Sequence, residues 1–188
     1  MKKFVLFCAS LLLISCSFRS PKSQFYVMNS NNLSSLSSKN MTISVRQVKV
    51  PDILDKSQMV IYDKDTPEVK ILEYHRWADV LPDIIQTTVT NDLMAYLPNS
   101  YVKSAYFDYD LAPYSVSIEI NRIEAHQGGD VILSAWWNIM DKKGKIIKRE
   151  QSTYTAHTSG DSIQDLVEAQ TAAVHQMSRE IAENLLSL

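Results

Sequence analysis

Cysteine is nearly absent from this chain. Only Cys8 and Cys16 occur in 188 residues, and both lie at the N-terminal end. From residue 17 onward there is no thiol for a disulfide, a Cys-ligated metal or a nucleophile. Glycine is scarce too, with four residues. No P-loop, G-x-G-x-x-G or G-x-S-x-G occurs, which argues against a nucleotide cradle or a nucleophile elbow. The four histidines, at 75, 126, 157 and 175, form no H-x-x-x-H or H-E-x-x-H pattern, so a metal centre has little support. Basic charge is short as well, at 19 Lys and Arg against 21 Asp and Glu. That balance disfavours nucleic acid, whose phosphates need a basic surface.

The one continuous apolar run, Phe4 to Ile14, is also too short to span a bilayer, which needs about 20 residues. Lys2 and Lys3 precede it, so the pattern reads as a signal peptide. It stops on Leu13-Ile14-Ser15-Cys16, which resembles the lipobox of bacterial lipoproteins. Cys8 follows the bulky Phe7 and does not fit. Cys16 is therefore the expected lipidation site, and its covalent lipid the only group the chain is expected to carry. Three acyl chains on that cysteine would anchor the protein permanently, where a single chain holds only marginally. Ser17 in place of Asp favours the outer membrane, by similarity to sorted lipoproteins. Removing residues 1–15 takes Lys2 and Lys3 away and leaves the chain more acidic still.

Residues 16–40 are rich in Ser, Asn and Lys and read as a tether, with a short strand at 25–28. Residues 41–188 read as one globular domain. Met41, Ile43 and Val45 alternate, then the phase slips to Val48 and Val50, suggesting a strand with a bulge. "QMVIY" (58–62) and "VKILE" (69–73) suggest a hairpin. Val80, Leu81, Ile84, Ile85, Val89, Leu93, Tyr96 and Leu97 mark an amphipathic helix, with Asp79 as N-cap and Pro98 as the stop. A strand follows near 101–107. Alternation then predicts strands over 114–125 and 130–140, and another from Lys145. A second helix opens at Asp161, with Gln164 completing a capping box. The expected fold is α+β: a mainly antiparallel or mixed sheet of about seven strands, with two long helices on one face.

Candidate chemistry is thin. His75-Arg76-Trp77 could hold an anion or do acid–base work, or it could simply lead into the helix with Trp77 packed beneath its first turn. The second reading makes Trp77 structural, as is Trp137 on the core face. Glu119 and Glu124 lie five apart on one strand and face opposite sides unless a bulge intervenes. His175 falls on the polar flank of the last helix and reads as an exposed surface histidine. Ile132, Trp136 and Met140 form a second apolar series opposite the core face. Either a loop or the 25–28 segment covers it, Trp136 is a lone exposed aromatic, or the series is a contact surface for a partner or another copy. Nothing here predicts an enzyme.

The order and spacing of several segments resemble the ABC-type transport auxiliary lipoprotein family. They are Phe25-Tyr26-Val27-Met28, Ile43 to Val45, Val48 to Leu54, Gln58-Met59-Val60, His75 to Leu81, Val131 to Trp137, and Lys143 to Arg149. Ile53 departs from the family, which often has an aromatic there, and Trp136 precedes the family tryptophan at Trp137. The resemblance implies an outer-membrane lipoprotein facing the periplasm. It would work with proteins bearing mammalian-cell-entry (MCE) domains in lipid traffic, as their docking point and without catalysis. A homo-oligomer is open as well. The alternative is an assembly or secretion lipoprotein that packs against an outer-membrane barrel.

Overall fold

The computed structural model describes residues 21–30, 33–105 and 112–188. Cys16 and the signal segment lie outside them. Along the described chain run β1 (Gln24–Tyr26), β2 (Thr42–Arg46), β3 (Gln58–Tyr62), β4 (Val69–Trp77), α1 (Leu81–Tyr96), β5 (Tyr101–Ala105), β6 (Tyr114–Ala125), β7 (Asp130–Asp141), β8 (Ile146–His157) and α2 (Ile163–Leu186). The fold is α+β, as expected. The strands divide into two sheets, however, of order β1-β4-β3 and β5-β2-β6-β7-β8. Both are mixed: β1 pairs parallel with β4, and β2 pairs parallel with β5 and β6, while the hairpins are antiparallel.

Strand β6 joins the two sheets. One edge pairs Ile43–Val45 with Tyr114–Val116, then Lys49 with Glu119, then Tyr62 with His126. Between the first two pairings the register slips by one residue, which is the phase change seen at Val48. Lys49 closes its bridge by donating its N–H to the Ile118 carbonyl at 3.0 Å and accepting from Ile120 at 2.8 Å.

Both helices lie on one face of the five-stranded sheet, α1 over β2 and β5, α2 over β7 and β8. Ile85, Val89 and Leu93 of α1 and Leu166, Ala173, Met177 and Ile181 of α2 are buried there. They meet the inward-facing Ile43, Val45, Val116, Ile118, Leu133, Trp137 and Ile139. Gln86 is buried but satisfied, donating to the carbonyls of Val45 at 2.9 Å and Ala105 at 3.2 Å. Two helix starts differ from expectation. Val80, not Asp79, occupies the N-cap of α1 without a side-chain cap, and Pro82 sits in the first turn, where no N–H is needed. In α2 the capping box is Ser162 with Asp165, one residue beyond the Asp161–Gln164 pair. Ser162 adopts the extended backbone a cap needs, and a carboxylate at the third position suits the positive end of the helix.

The segment expected as a tether is largely docked. Met28 is buried, and Leu33 and Leu36 pack against the core. Ser30 donates to the Thr88 carbonyl at 3.5 Å, and Leu36 N–H to the Tyr96 carbonyl at 2.8 Å. Residues 27–30 and 33–40 thus pack along α1, at Thr88 in its middle and Tyr96 at its end.

Trp77 closes the core where β4 hands over to α1. It is 2% exposed, its N–H donates to the Ser57 carbonyl at 2.7 Å, and the next N–H, from Ala78, reaches the Tyr26 carbonyl at 2.8 Å. Truncating a buried tryptophan leaves a cavity that neighbouring side chains fill only partly. We expect Trp77→Ala to cost about 3–5 kcal/mol in urea unfolding. An unchanged midpoint would contradict the burial described.

Candidate functional site

The outer face of the five-stranded sheet carries the predicted contact series, and its members differ. Trp136 is 37% exposed, Ile132 is half-buried, and Met140 is buried at 8% exposure. Met140 lies opposite Ser115, and Ser115 and Ser44, which pair in register between β2 and β6, are also buried. Met140 itself is covered, although Ile146, its partner on β8, is 40% exposed, so the open part of the series is Ile132 and Trp136.

Trp136 stands between Glu119 of β6 and Gln151 of β8. Glu119, Asn121, Trp136, Asn138 and Arg149 line a shallow cleft of about 320 Å³. Its floor is ordered by a short chain of bonds. Arg149 Nε donates to Asn138 Oδ1 at 2.7 Å, and Asn138 Nδ2 donates to Ser117 Oγ at 3.2 Å. An aromatic ring ringed by polar groups suits a protein contact, where the apolar body is covered and the rim stays wet.

A bulge at Asn121 breaks the alternation of β6, because Ile120 pairs with Ala135 and Arg122 with Ser134. Glu119 and Glu124 therefore share the outer face, opposite Trp136 and Ile132. They do not form a dyad: Glu124 pairs with Arg122 at 3.5 Å.

His75-Arg76-Trp77 serves the attachment of β1. The His75 ring stacks on Tyr26 with centroids 5.9 Å apart, and its Nδ1 lies 2.9 Å from the Tyr26 hydroxyl. Arg76 turns back to Glu73, donating to its carbonyl at 2.9 Å and its carboxylate at 2.7 Å. Trp137 is fully buried, and its Nε1 donates to the Tyr154 hydroxyl at 3.2 Å. That hydroxyl donates to Glu180 Oε2 at 2.7 Å, and Ser152 donates to the other carboxylate oxygen at 2.9 Å. Burial first, then the Glu180 carboxylate, raises the Tyr154 pKa, so its proton stays on oxygen.

His175 is not the exposed surface histidine its sequence position suggested. Its Nδ1 lies 2.7 Å from Asp92 Oδ2, and its Nε2 3.1 Å from the Asn29 carbonyl. Asp92 is 0% exposed. A carboxylate and a carbonyl only accept, so with Asp92 ionised both ring nitrogens donate and the ring carries the extra proton. Burial alone would lower its pKa, but the bond to Asp92, that residue's charge and the Asn29 carbonyl outweigh it, and the net direction is up. The other titratable neighbours are Tyr96, whose hydroxyl donates to the His175 carbonyl at 3.4 Å, and Glu168 and Arg179 on α2. The sequence carried a signal of this cluster: Asp92 falls on the apolar stripe of α1, where a charge needs a buried partner. Its partner is 83 residues away, beyond the reach of any local pattern.

No group of three or more His, Cys, Asp or Glu side chains able to hold a metal occurs among the described residues, and no helix among them is long and apolar enough to cross a membrane. Comparison with known proteins gives the family. The model of the ABC-type transport auxiliary lipoprotein component matches residues 28–182. The chain belongs to this family. It is 27% identical over 191 residues to the intermembrane transport lipoprotein PqiC of Escherichia coli strain K12, covering all of both chains, and equally to PqiC of Shigella flexneri. The fold recurs in the crystal structure of an uncharacterized protein, with a TM-score of 0.71, 20% identity, and coverage of 88% of this chain and 99% of that one. A Xanthomonas campestris protein gives a TM-score of 0.65 at 14% identity, covering 85% and 92%. In this family member, then, the residues named above stand on a scaffold shared with transport lipoproteins.

Protonation of His175 should be visible in stability. Below its ordinary pKa of 6.5, folded and unfolded chains both carry the proton and the stabilisation is complete. As pH rises through the elevated folded value, that contribution is lost. The stability advantage of the wild type over His175→Gln in urea titrations should therefore be largest below 6.5 and shrink on the alkaline side. A pH-independent difference would show that the proton is not involved.

Proposed function

We propose that this chain is a non-enzymatic, lipid-anchored subunit of an intermembrane lipid transport system. It sits at the outer membrane with its domain in the periplasm and docks a periplasm-spanning MCE-domain protein. The observation that carries this reading is the full-length match to an intermembrane transport lipoprotein, within a family of transport auxiliary components. Two features support it. Leu13-Ile14-Ser15-Cys16 ends the signal as a lipobox does, and Ser17 follows. Trp136, with Ile132 beside it, supplies an aromatic anchor on an otherwise polar sheet face. The ionisable side chains found in close contact serve packing and docking, which suits an adaptor better than a catalyst.

The lipid is tested by palmitate labelling. Cys16→Ala should abolish it and Cys8→Ala should leave it intact; undiminished labelling of Cys16→Ala would refute the anchor. The partner is tested by pull-down from detergent-solubilised envelope. An MCE-domain protein should co-purify, whereas a barrel protein in its place would favour an assembly factor.

Trp136→Ala should leave the melting temperature of the isolated domain nearly unchanged. It should weaken capture of the partner, or assembly of copies, by about 2 kcal/mol or more, roughly thirtyfold, as expected of an interface tryptophan. Unfolding of the variant, with association persisting in the folded fraction, would assign Trp136 to the core.

A further inference from the structure

Strand β1 is fixed to the domain. Gln24–Tyr26 pair with His75–Trp77, Tyr26 stacks on His75, and Asn29 is held by His175. A lipid on Cys16 is therefore only eight residues from the first fixed residue, Gln24. Fully extended, that span is under about 30 Å, comparable to the width of the domain itself. So short a link selects which pole of the domain faces the membrane. The pole is the one bearing β1 and the start of α1, which the Ala78–Tyr26 bond brings together.

This pole exposes apolar side chains that the fold does not use. Phe25 is 65% exposed and Val27 49%, while Tyr26 between them turns inward to pack against the core. Phe25 on β1 and Val27 just after it border the same groove, so they form one small patch. Beside it a groove of about 430 Å³ runs to α2, with Val167 and Ala172 in its wall and Glu168 and His175 at its polar side. Lys22 is exposed just before the strand.

We propose that Phe25 and Val27 rest in the interface of the membrane that holds the lipid anchor, making β1 a second, non-covalent contact that orients the domain. The inference rests on lipidation of Cys16. An aromatic and an aliphatic side chain at the headgroup boundary leave water for apolar surroundings, which completes a burial that the domain itself does not provide. The patch is too small to bind membrane alone; beside a covalent anchor it need only set orientation. Trp136, on the outer sheet face, stays available to a protein partner.

The absence of cysteine after residue 16 makes the test direct. Phe25→Cys, Val27→Cys and, as a control, Tyr101→Cys would be made in the full lipoprotein and labelled with an environment-sensitive fluorophore. Tyr101 is 64% exposed and follows the far end of the 16-residue α1, about 24 Å from its start. The proteins would be reconstituted into vesicles of phosphatidylethanolamine and phosphatidylglycerol with nitroxide-bearing lipid. Blue-shifted emission and about twofold quenching at 25 and 27, with neither at 101, is the expected result. Water-like emission at 25 and 27, in acylated protein that floats with the vesicles, would overturn the contact while leaving the anchor standing. Protein that lacks the acyl mass and does not float would remove the premise, and the proposal with it. Folding of each variant is checked by its melting temperature, and the two patch positions serve as independent reporters.

Discussion

One edge of β6 accepts three separate pieces of chain in succession: β2, the Lys49 bridge and the end of β3. Backbone N–H and C=O groups buried without partners are costly, so an edge that deep must be fully paired. No single strand does it here. The slip between Val45 and Lys49 lets the chain leave the sheet and return in pairing position, and Tyr62 then brings in the small sheet. The second sheet, the hairpin β3–β4 and, through β4, the N-terminal strand all take their positions from that edge.

The helices are fixed by shape and by two polar clusters of opposite character. Leu166, Met177 and Ile181 of α2 are among the largest fully buried side chains, but apolar packing alone tolerates sliding. Glu180 receives hydrogen bonds from Tyr154 and Ser152 of β8, which sets α2 against the sheet. Nearly one and a half turns earlier, His175 bridges Asp92 of α1 and Asn29 of the N-terminal segment, which sets α2 against α1. Each partner is directional, and leaving a buried charge unpaired would be costly. The helix thus has one register. The same His175 contact holds Asn29 of the N-terminal segment against α2.

Two apolar patches on the surface then have separate meanings. Trp136 is ringed by Glu119, Gln151 and Arg149 on a broad sheet face, the setting of an anchor residue. Phe25 sits on the three-residue β1 and Val27 just after it, near the N-terminal end of the described chain. The two patches lie apart, Trp136 on the five-stranded sheet and Phe25 on the three-stranded one, so the proposed protein and lipid contacts do not compete.

Local periodicity was enough for most of the elements. The helices, the hairpins and the inward face of β6 and β7 follow from spacings of two, three and four. Spacing on a regular element sets which side chains share a face. The expectation of a signal peptide ending at Cys16 likewise comes from contiguous residues alone. The α2 cap was displaced by one residue because Ser162 and Asp161 are both good caps, and only backbone geometry chooses between them. The bulge at Asn121 could not be read either, and with it the shared face of Glu119 and Glu124, since it exists only relative to β7. The split into two sheets, the burial of Met140, the docking of residues 27–30 and 33–40 and the Asp92–His175–Asn29 bridge all depend on partners tens of residues away. The sequence by itself determined which residues are apolar and at what period, and hence the elements and the fold class. Only the tertiary structure decided which of those residues meet, because hydrogen bonding and burial are properties of pairs brought together by the whole fold.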